Sequence, residues 1–354
     1  MYARYGIAKK ASMKKRESLD PKDIRVFSGS SHPALAAGIA DYLGVPLEKT
    51  CVRRFSNDNL YVQLGASVRA RAVFIVQSLS IPASDHLLEL LMMLDIARGA
   101  GAREVHAIIP YFSYARSDKK DAPRISITGR LIADLLETAG ATHVMTMALH
   151  SPQVHGFFSL PTDPLTARAL FVRHFHKKLR RRAKIETIVV APDSGRLKSA
   201  VRFAASLGLP AIAGEKRRLS DKEVQIDKLV GKQVRGFKRA VIYDDEIATG
   251  GSVIALSRLL IHNGVTDIAV VCTHGVFTGQ ADRHRPDPAG EAAAPHENPL
   301  RRARIRGGHP PELPEAVHRR FVLVLAGVAS TDAQRINGCC LRRESVYAKR
   351  LQIR

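Results

Sequence analysis

The stretch Ala240–Arg258, AVIYDDEIATGGSVIALSR, decides how the chain is read. A short apolar run ends on two adjacent acids, passes through small residues and resumes with a helical hydrophobic period, which predicts strand, loop and helix in succession. Asp244 and Asp245 at the strand end can accept hydrogen bonds from a vicinal diol or ligate a hydrated Mg²⁺ through oxygen. Thr249, Gly250, Gly251 and Ser252 permit close backbone approach, and a helix beginning near Val253 turns its positive end toward the same place. That combination suits a phosphate cradle. No Gly-Lys-Ser/Thr follows the glycines, so this is not the nucleoside-triphosphate loop. An ordinary strand-to-helix turn with solvated acids would use the same residues.

Outward from this loop, 354 residues with 45% hydrophobic and 25% charged content provide for two globular domains with sizeable cores. No apolar run reaches membrane-spanning length, so no membrane partner is expected. The net charge of +22 raises nucleic acid as a partner. The basic residues, however, fall in the N-terminal arm, in His174–Lys184 (HFHKKLRRRAK) and in the C-terminal third, without interleaved aromatics for base stacking. Nucleic acid is therefore not the expected ligand. Cys51, Cys272, Cys339 and Cys340 show no zinc spacing, and neighbours such as Cys339 and Cys340 make a poor disulfide, which fits a reducing cytoplasm. Residues 1–23 read as a basic arm without a secretory apolar core.

Strands are expected at Ile24–Phe27, Ala72–Gln77, Val105–Pro110, His143–Met147, Thr187–Ala191, Arg239–Tyr243 and Ile268–Thr273. Helical patterns fall between them: Leu35, Ile39 and Leu43 mark one, Asp85 is a candidate cap for a second running through Ala97, and Ser126–Thr138 is a third. Arg54–Leu60 (RFSNDNL) is either a loop presenting an aromatic face and amides or a plain hairpin turn. Tyr111–Arg124 (YFSYARSDKKDAPR) lacks a helical period and reads as a loop able to grip a nucleotide, or a solvated surface loop. His150, at a strand end, can be a metal or phosphate ligand or a packed histidine, and Asp193 can hold Mg²⁺ or cap a helix beginning near Leu197. Glu215–Arg218 reads as a cationic cluster on a loop. The whole is an α/β chain of two parallel units, with ligands expected at the carboxyl ends of strands and in a cleft between domains.

Taken together, YFSYARSDKKD at Tyr111–Asp121, LLETAGAT at Leu135–Thr142, LHSPQVHGFF at Leu149–Phe158, Lys216–Arg218, Asp244–Ser252 and CTHGVFTG at Cys272–Gly279 resemble the ribose-phosphate pyrophosphokinase family, in order as well as identity. The resemblance runs from about Phe27 to Gln280. It implies two tandem phosphoribosyltransferase-like domains, each a largely parallel sheet flanked by helices: residues 24–163 on the nucleotide side and 164–335 on the ribose 5-phosphate side, followed by a tail at 336–354. It also implies a Mg²⁺-dependent transfer of the diphosphoryl group of ATP to the C1 hydroxyl of ribose 5-phosphate, giving phosphoribosyl pyrophosphate and AMP, in a homo-oligomer that can be a hexamer. By resemblance, Lys216 and Arg218 are catalytic. Asp244, Asp245, Thr249, Gly250, Gly251 and Ser252 bind ribose 5-phosphate; Phe55, Asn57, Asn59, Arg116, Ser117 and Asp118 bind ATP; His150 and Asp193 face the metal.

The chain departs from the family pattern at several of these places. Asn57 and Asn59 replace carboxylates, Ser117 replaces glutamine, Ala148 replaces an acid two residues before His150, Arg196 replaces a glycine, and Ala248 replaces a third acid in the ribose-phosphate loop. Arg196 is expected to add a phosphate donor or to crowd the pyrophosphate. Residues 281–318, rich in Arg, Pro, Ala and His, show no strand or helix period and do not resemble the family, whereas Pro310–Pro314, Phe321–Ala326 and Arg335–Val346 do so in part. A catalytically weak regulatory relative, or a phosphoribosyltransferase sharing only the Asp244–Ser252 cradle, are the alternative functions.

Overall fold

The computed structural model describes residues 20–179, 185–218, 224–230, 234, 236–278, 320–326 and 346–351. The chain divides into two compact units, Met1–Met145 with Gln153–Asp163, and Thr146–Pro152 with Pro164–Arg354. The basic arm through residue 19, the segment 281–318, Pro310–Pro314 and Arg335–Ser345 lie outside the described residues. Among the described residues no helix is long and apolar enough to cross a membrane.

In the first unit, β1 (Ile24–Ser28), α1 (Pro33–Leu43), β2 (Leu47–Glu48), β5 (Ala72–Val76), α2 (Ala83–Gly99), β6 (Glu104–Ile109), α3 (Thr128–Ala139), β7 (His143–Met147) and β8 (Thr162–Leu165) build a sheet in the order β2-β1-β5-β6-β7-β8. Its β2-β1, β1-β5 and β5-β6 pairings are parallel, and β3 (Thr50–Arg54) with β4 (Leu60–Leu64) forms a separate antiparallel hairpin. Parallel neighbours require crossovers, and α1 and α2 supply them. Helix α1 buries Ala36 and Ala40, with Leu35 and Ile39 partly covered, while Leu43 is 45% exposed. The buried stripe is thus one position away from the expected one: small alanines allow close approach to the sheet, and Leu43 sits beside the left-handed Gly44 that ends the helix. Asp85 does not cap α2, whose N-cap is Pro82; it lies in the first turn and pairs with Arg54 at 2.8 Å. The turn after β1 is polar because it docks on buried Gln77, whose Oε1 accepts from the Ser31 N–H at 3.0 Å. A Cβ on Gly29 would meet that same oxygen at 2.3 Å, so any larger residue there would have to displace the Gln77 amide and its hydrogen bonds.

In the second unit, α4 (Arg168–Lys178), β9 (Thr187–Ala191), α5 (Ser194–Leu207), β10 (Ala211–Arg218), β11 (Val224–Val230), β12 (Arg239–Ile247), α6 (Gly251–His262), β13 (Asp267–Gly275), β14 (Arg320–Ala326) and β15 (Val346–Leu351) complete the set. The sheet order is β11-β10-β9-β12-β13-β14-β15, parallel from β10 through β14, with antiparallel strands at both edges. Successive residues of β9 and β12 go to opposite faces. Ile188, Val190, Ala240 and Ile242 join Leu256 and Leu260 of α6 in one core, and Val189, Ala191 and Val241 join Phe171 of α4 and Phe203 of α5 in the other. A sheet covered on both faces needs apolar residues at consecutive positions, which is why TIVVA and AVI have no polar alternation.

Several boundaries in the second unit differ from the sequence expectation. Helix α5 starts at Ser194, earlier than Leu197, because Asp193 caps it by accepting from the Arg196 N–H at 3.1 Å. Glu215–Arg218 is a strand rather than a loop: β10 pairs with β11, Lys216 opposite Ile226 and Arg218 opposite Val224, with a register shift between Glu215 and Lys216. Ladder hydrogen bonds are made by the backbone, so consecutive cations do not prevent them.

Phe203 is fully buried, 4.6 Å from the Tyr243 ring and 6.0 Å from that of Phe175. Phe203→Ala should lower the unfolding free energy by about 3–5 kcal/mol, read from urea denaturation, since the vacated ring space faces other rigid rings.

Candidate active site

Strand β12 does not stop at the acids; it continues through Asp244, Asp245 and Glu246 to Ile247, with Asp244 paired to Cys272 and Glu246 to His274 of β13. The carboxylates are therefore held by a rigid ladder rather than by a loop. Tyr243 ends the apolar alternation on the α4–α5 face, and burial pushes its phenol up to about 12. Asp245, two residues after Tyr243, meets Arg196 from the first turn of α5.

Arg196, Asp245 and His150 form one knot inside the second unit. Arg196 Nη2 donates to the Asp245 carboxylate at 3.0 Å and to the His150 carbonyl at 2.6 Å, and lies 2.9 Å from His150 Nδ1. His150 Nδ1 is 3.1 Å from the same Asp245 oxygen and 4.0 Å from the carboxylate of Glu246. The side chains of Arg196 and Asp245 are only 17% and 12% exposed, so their attraction is poorly screened by water. His150 reaches this position because Ala148 adopts φ +47° and turns the chain out of β7, while His274 Nε2 donates to the Met147 carbonyl at 2.7 Å and holds the turn. A left-handed alanine is strained, and the bonds on either side of it hold it in place.

Electrostatics separates the two acids. Burial, with the charge of Asp245 beside it, lifts Asp244 well above the usual carboxylate range. Burial would also lift Asp245, but hydrogen bonding from His150 and the charge of Arg196 outweigh it and leave that carboxyl below its ordinary value. One acid is thus poised to keep a proton and its neighbour to stay ionised. Burial likewise lifts the Cys272 thiol, which donates to the carbonyls of Asp245 and His274, so it packs rather than reacts.

Beyond β12 the backbone N–H groups of Val276 and Phe277 donate to Ile247 O, and that of Thr278 donates to Ala248 O at 2.7 Å, bracing the loop from the neighbouring strand's exit. Gly250 is left-handed (φ +79°) and is the N-cap of α6 without any side-chain cap bond. The Gly251 N–H makes only a long 3.5 Å bond to Thr249 Oγ1, so the first turn of α6 keeps donors for an outside acceptor beside Thr249 and Ser252. A Cβ on Gly251 would make an ordinary van der Waals contact with Thr249 Oγ1 at 3.7 Å.

The other sequence-derived residues are placed as follows. Lys216 and Arg218 occupy alternate positions of β10. Asp193 spends one carboxylate oxygen on capping α5. In the first unit, Phe55, Asn57 and Asn59 form the tip of the β3–β4 hairpin. Phe55 is 48% exposed, edge-on to Tyr61 at 5.6 Å, and Asn57 Oδ1 accepts from the Asn59 N–H at 3.2 Å. Both readings of RFSNDNL hold: it is a hairpin turn and it presents an aromatic face. Arg116 ends a 3₁₀ turn, Ser113–Arg116, within the stretch expected to be loop, and Ser117 and Asp118 follow it; Gly129 N–H donates to Ser117 O at 3.0 Å. Sequence reasoning gives no individual role to Tyr243 at the strand end, to Glu246 within Asp244–Ser252 or to His274 within CTHGVFTG. Arg196 was noticed only as a departure, although a cation replacing glycine in a helix's first turn beside buried acids was the available signal.

The raised value for Asp244 sets a pH dependence. A folded-state value above the unfolded one contributes stability fully below the unfolded carboxylate range, near pH 4, and that contribution is lost as pH rises through the folded value. Asp245 has the opposite sign: its contribution is lost as pH falls through its lowered value. Denaturation midpoints measured across pH should therefore decline on the rising side for the native chain, and Asp244→Asn should flatten that side while leaving the acid limb in place.

Residues 24–140 match the family model described as the N-terminal domain of ribose phosphate pyrophosphokinase. A putative ribose-phosphate pyrophosphokinase from Streptomyces coelicolor is 51% identical over 260 residues, 73% of this chain and 80% of that protein. The ribose-phosphate pyrophosphokinase of Deinococcus radiodurans is 49% identical over 258 residues, 73% of this chain and 79% of its own length. The crystal structure of phosphoribosylpyrophosphate synthetase from Mycobacterium smegmatis is similar with a TM-score of 0.66 at 34% identity, covering 74% of this chain and 84% of that one. At this identity and coverage the chain belongs to the ribose-phosphate pyrophosphokinase family.

Proposed function

We infer that the chain is a ribose-phosphate diphosphokinase, transferring the β,γ-diphosphoryl group of ATP to the C1 hydroxyl of ribose 5-phosphate to give phosphoribosyl pyrophosphate and AMP. The observation that carries the site assignment is the exit of β12: an acid pair fixed in the ladder, followed by a helix whose N-terminus has no side-chain cap. Asp245, kept ionised by His150 and Arg196, accepts from ribose hydroxyls, with Asp244 beside it, and the N–H groups around Thr249–Ser252 take the 5-phosphate. Lys216 and Arg218 are assigned the transition-state role, as cationic donors to the oxygens that gain charge between leaving AMP and the transferred group. On the first unit, exposed Phe55 is assigned a purine face, the amides of Asn57 and Asn59 its edge, and Arg116, Ser117 and Asp118 the remaining nucleotide contacts.

Mg²⁺ belongs to the same reading. The donor set fits by its chemistry: Asp244 and Asp245 offer the carboxylate oxygens this ion prefers, and burial together with the neighbouring charge of Asp245 raises the proton affinity of Asp244, so a cation there would relieve the crowding of the two acids. His150 and the uncommitted oxygen of Asp193 are assigned the remaining contacts, direct or through water. When bound, the ion would neutralise phosphate charge. The chain's own contribution is to hold Asp245 in a fixed rotamer through Arg196 and to present His150 on a braced turn. Association into a homo-oligomer, which light scattering would report, and a reducing compartment, with the exposed free thiol of Cys51, complete the proposal.

The direct test is AMP formation by the purified chain with ATP, Mg²⁺ and ribose 5-phosphate. AMP should appear, and Lys216→Ala should lower kcat about 100- to 1,000-fold with little change in KM, as loss of one transition-state donor does elsewhere. A folded chain that binds both ligands without releasing AMP would refute the enzyme reading in favour of a regulatory relative; release of pyrophosphate only when a free base and phosphoribosyl pyrophosphate are supplied would point to a phosphoribosyltransferase.

A further inference from the structure

His106 in β6 and His143 at the start of β7 face each other with their Nδ1 atoms 3.1 Å apart and their rings nearly perpendicular, at 80°. Each ring's other nitrogen is committed to a carboxylate: His106 Nε2 lies 3.2 Å from Glu104 and His143 Nε2 lies 3.1 Å from Asp163. An ionised carboxylate only accepts, so each Nε2 carries a hydrogen, and in the neutral form of the two rings both Nδ1 atoms present lone pairs. Two lone pairs converging at this distance repel unless something positive lies between them. The His106 ring is stacked on Phe74 at 4.3 Å and 6°, its cross-strand neighbour, which fixes its plane. Both imidazoles are mostly covered, 14% and 17% exposed, yet retain an opening to water.

We propose that His106 and His143 are the two protein ligands of a site for a zinc-class transition dication, held between their Nδ1 atoms. Tetrahedral zinc with bonds of about 2.0–2.1 Å separates two nitrogen ligands by about 3.3 Å, so the pair needs to open by only a few tenths of an ångström. Imidazole suits zinc, copper and nickel, whereas Mg²⁺ seeks oxygen, so this site is chemically distinct from the acids of β12. Glu104 and Asp163 stand where outer carboxylates orient metal-bound histidines, fixing the tautomer that directs Nδ1 at the ion. Among the described residues no three His, Cys, Asp or Glu converge on one point, so water fills the rest of the shell. The ion would clip β6 to β7, neighbours in the first unit's sheet.

Titration of the full chain with Zn²⁺ against a competing chromogenic chelator, in phosphate-free buffer, tests the site. The native chain should bind one more equivalent than His106→Asn and than His143→Asn, each checked for folding by circular dichroism. Glu104→Gln, which keeps both ligands, should retain that equivalent with affinity reduced about tenfold. His150→Asn should keep it unchanged. Equal stoichiometry and affinity in the native chain and both histidine variants would overturn the proposal, as would absence of Zn²⁺ binding by the native chain, in which case the two imidazoles share only a proton.

Discussion

The contact between Arg196 and Asp245 is the interaction on which the candidate site depends. Two adjacent carboxylates near the end of a sheet packed on both faces cannot both be ionised and buried without a counter-charge, and a single partly covered guanidinium at 3.0 Å supplies it. The result is an asymmetric pair: Asp245 stays charged and directed, while Asp244 is driven toward its protonated form. Because the same guanidinium also binds the His150 carbonyl, the charge that settles the acids also fastens the histidine. Removing it would leave the covered carboxylate with His150 as a remaining partner and the strained turn braced by His274, so stability and geometry are both tied to this side chain.

The sheet around this contact explains why it can be precise. Cores on both faces leave β9 and β12 little freedom to slide, since a one-residue slip would exchange every residue between the two clusters. Asp244 and Asp245 inherit that register from Ala240–Tyr243. The acids assigned to ribose are among the last residues of a strand whose first residues are fixed by packing, and a short turn leads from them into α6. The uncapped start of that helix follows from the same economy, because a Ser or Asp cap bond would consume donors that a phosphate can use.

Much of this was legible in the sequence. The alternation of apolar runs with helical periods located the parallel strands, and the small residues ATGG located the turn before α6, because those signals arise from local backbone chemistry, whereas DDEI before them continues the strand. What could not be read is equally physical. The strand character of Glu215–Arg218 comes from a partner strand, not from its own residues. Asp85 was a good cap by type, but Arg54 and the preceding Pro82 decided its role. The pairing of Arg196 with Asp245 joins residues far apart in the chain, as does the facing of His106 and His143. Neither has any local signature.

The account stands on Asp245 being the ionised ribose ligand at the exit of β12. Calorimetric titration of ribose 5-phosphate into the nucleotide-free chain, native and Asp245→Asn, addresses that most directly. The amide keeps the shape and one acceptor but loses the charge, so affinity should fall about 10- to 100-fold, the worth of a charged hydrogen bond of about 1.5–3 kcal/mol. Equal affinity in a variant of unchanged fold would place the sugar elsewhere and contradict the assignment.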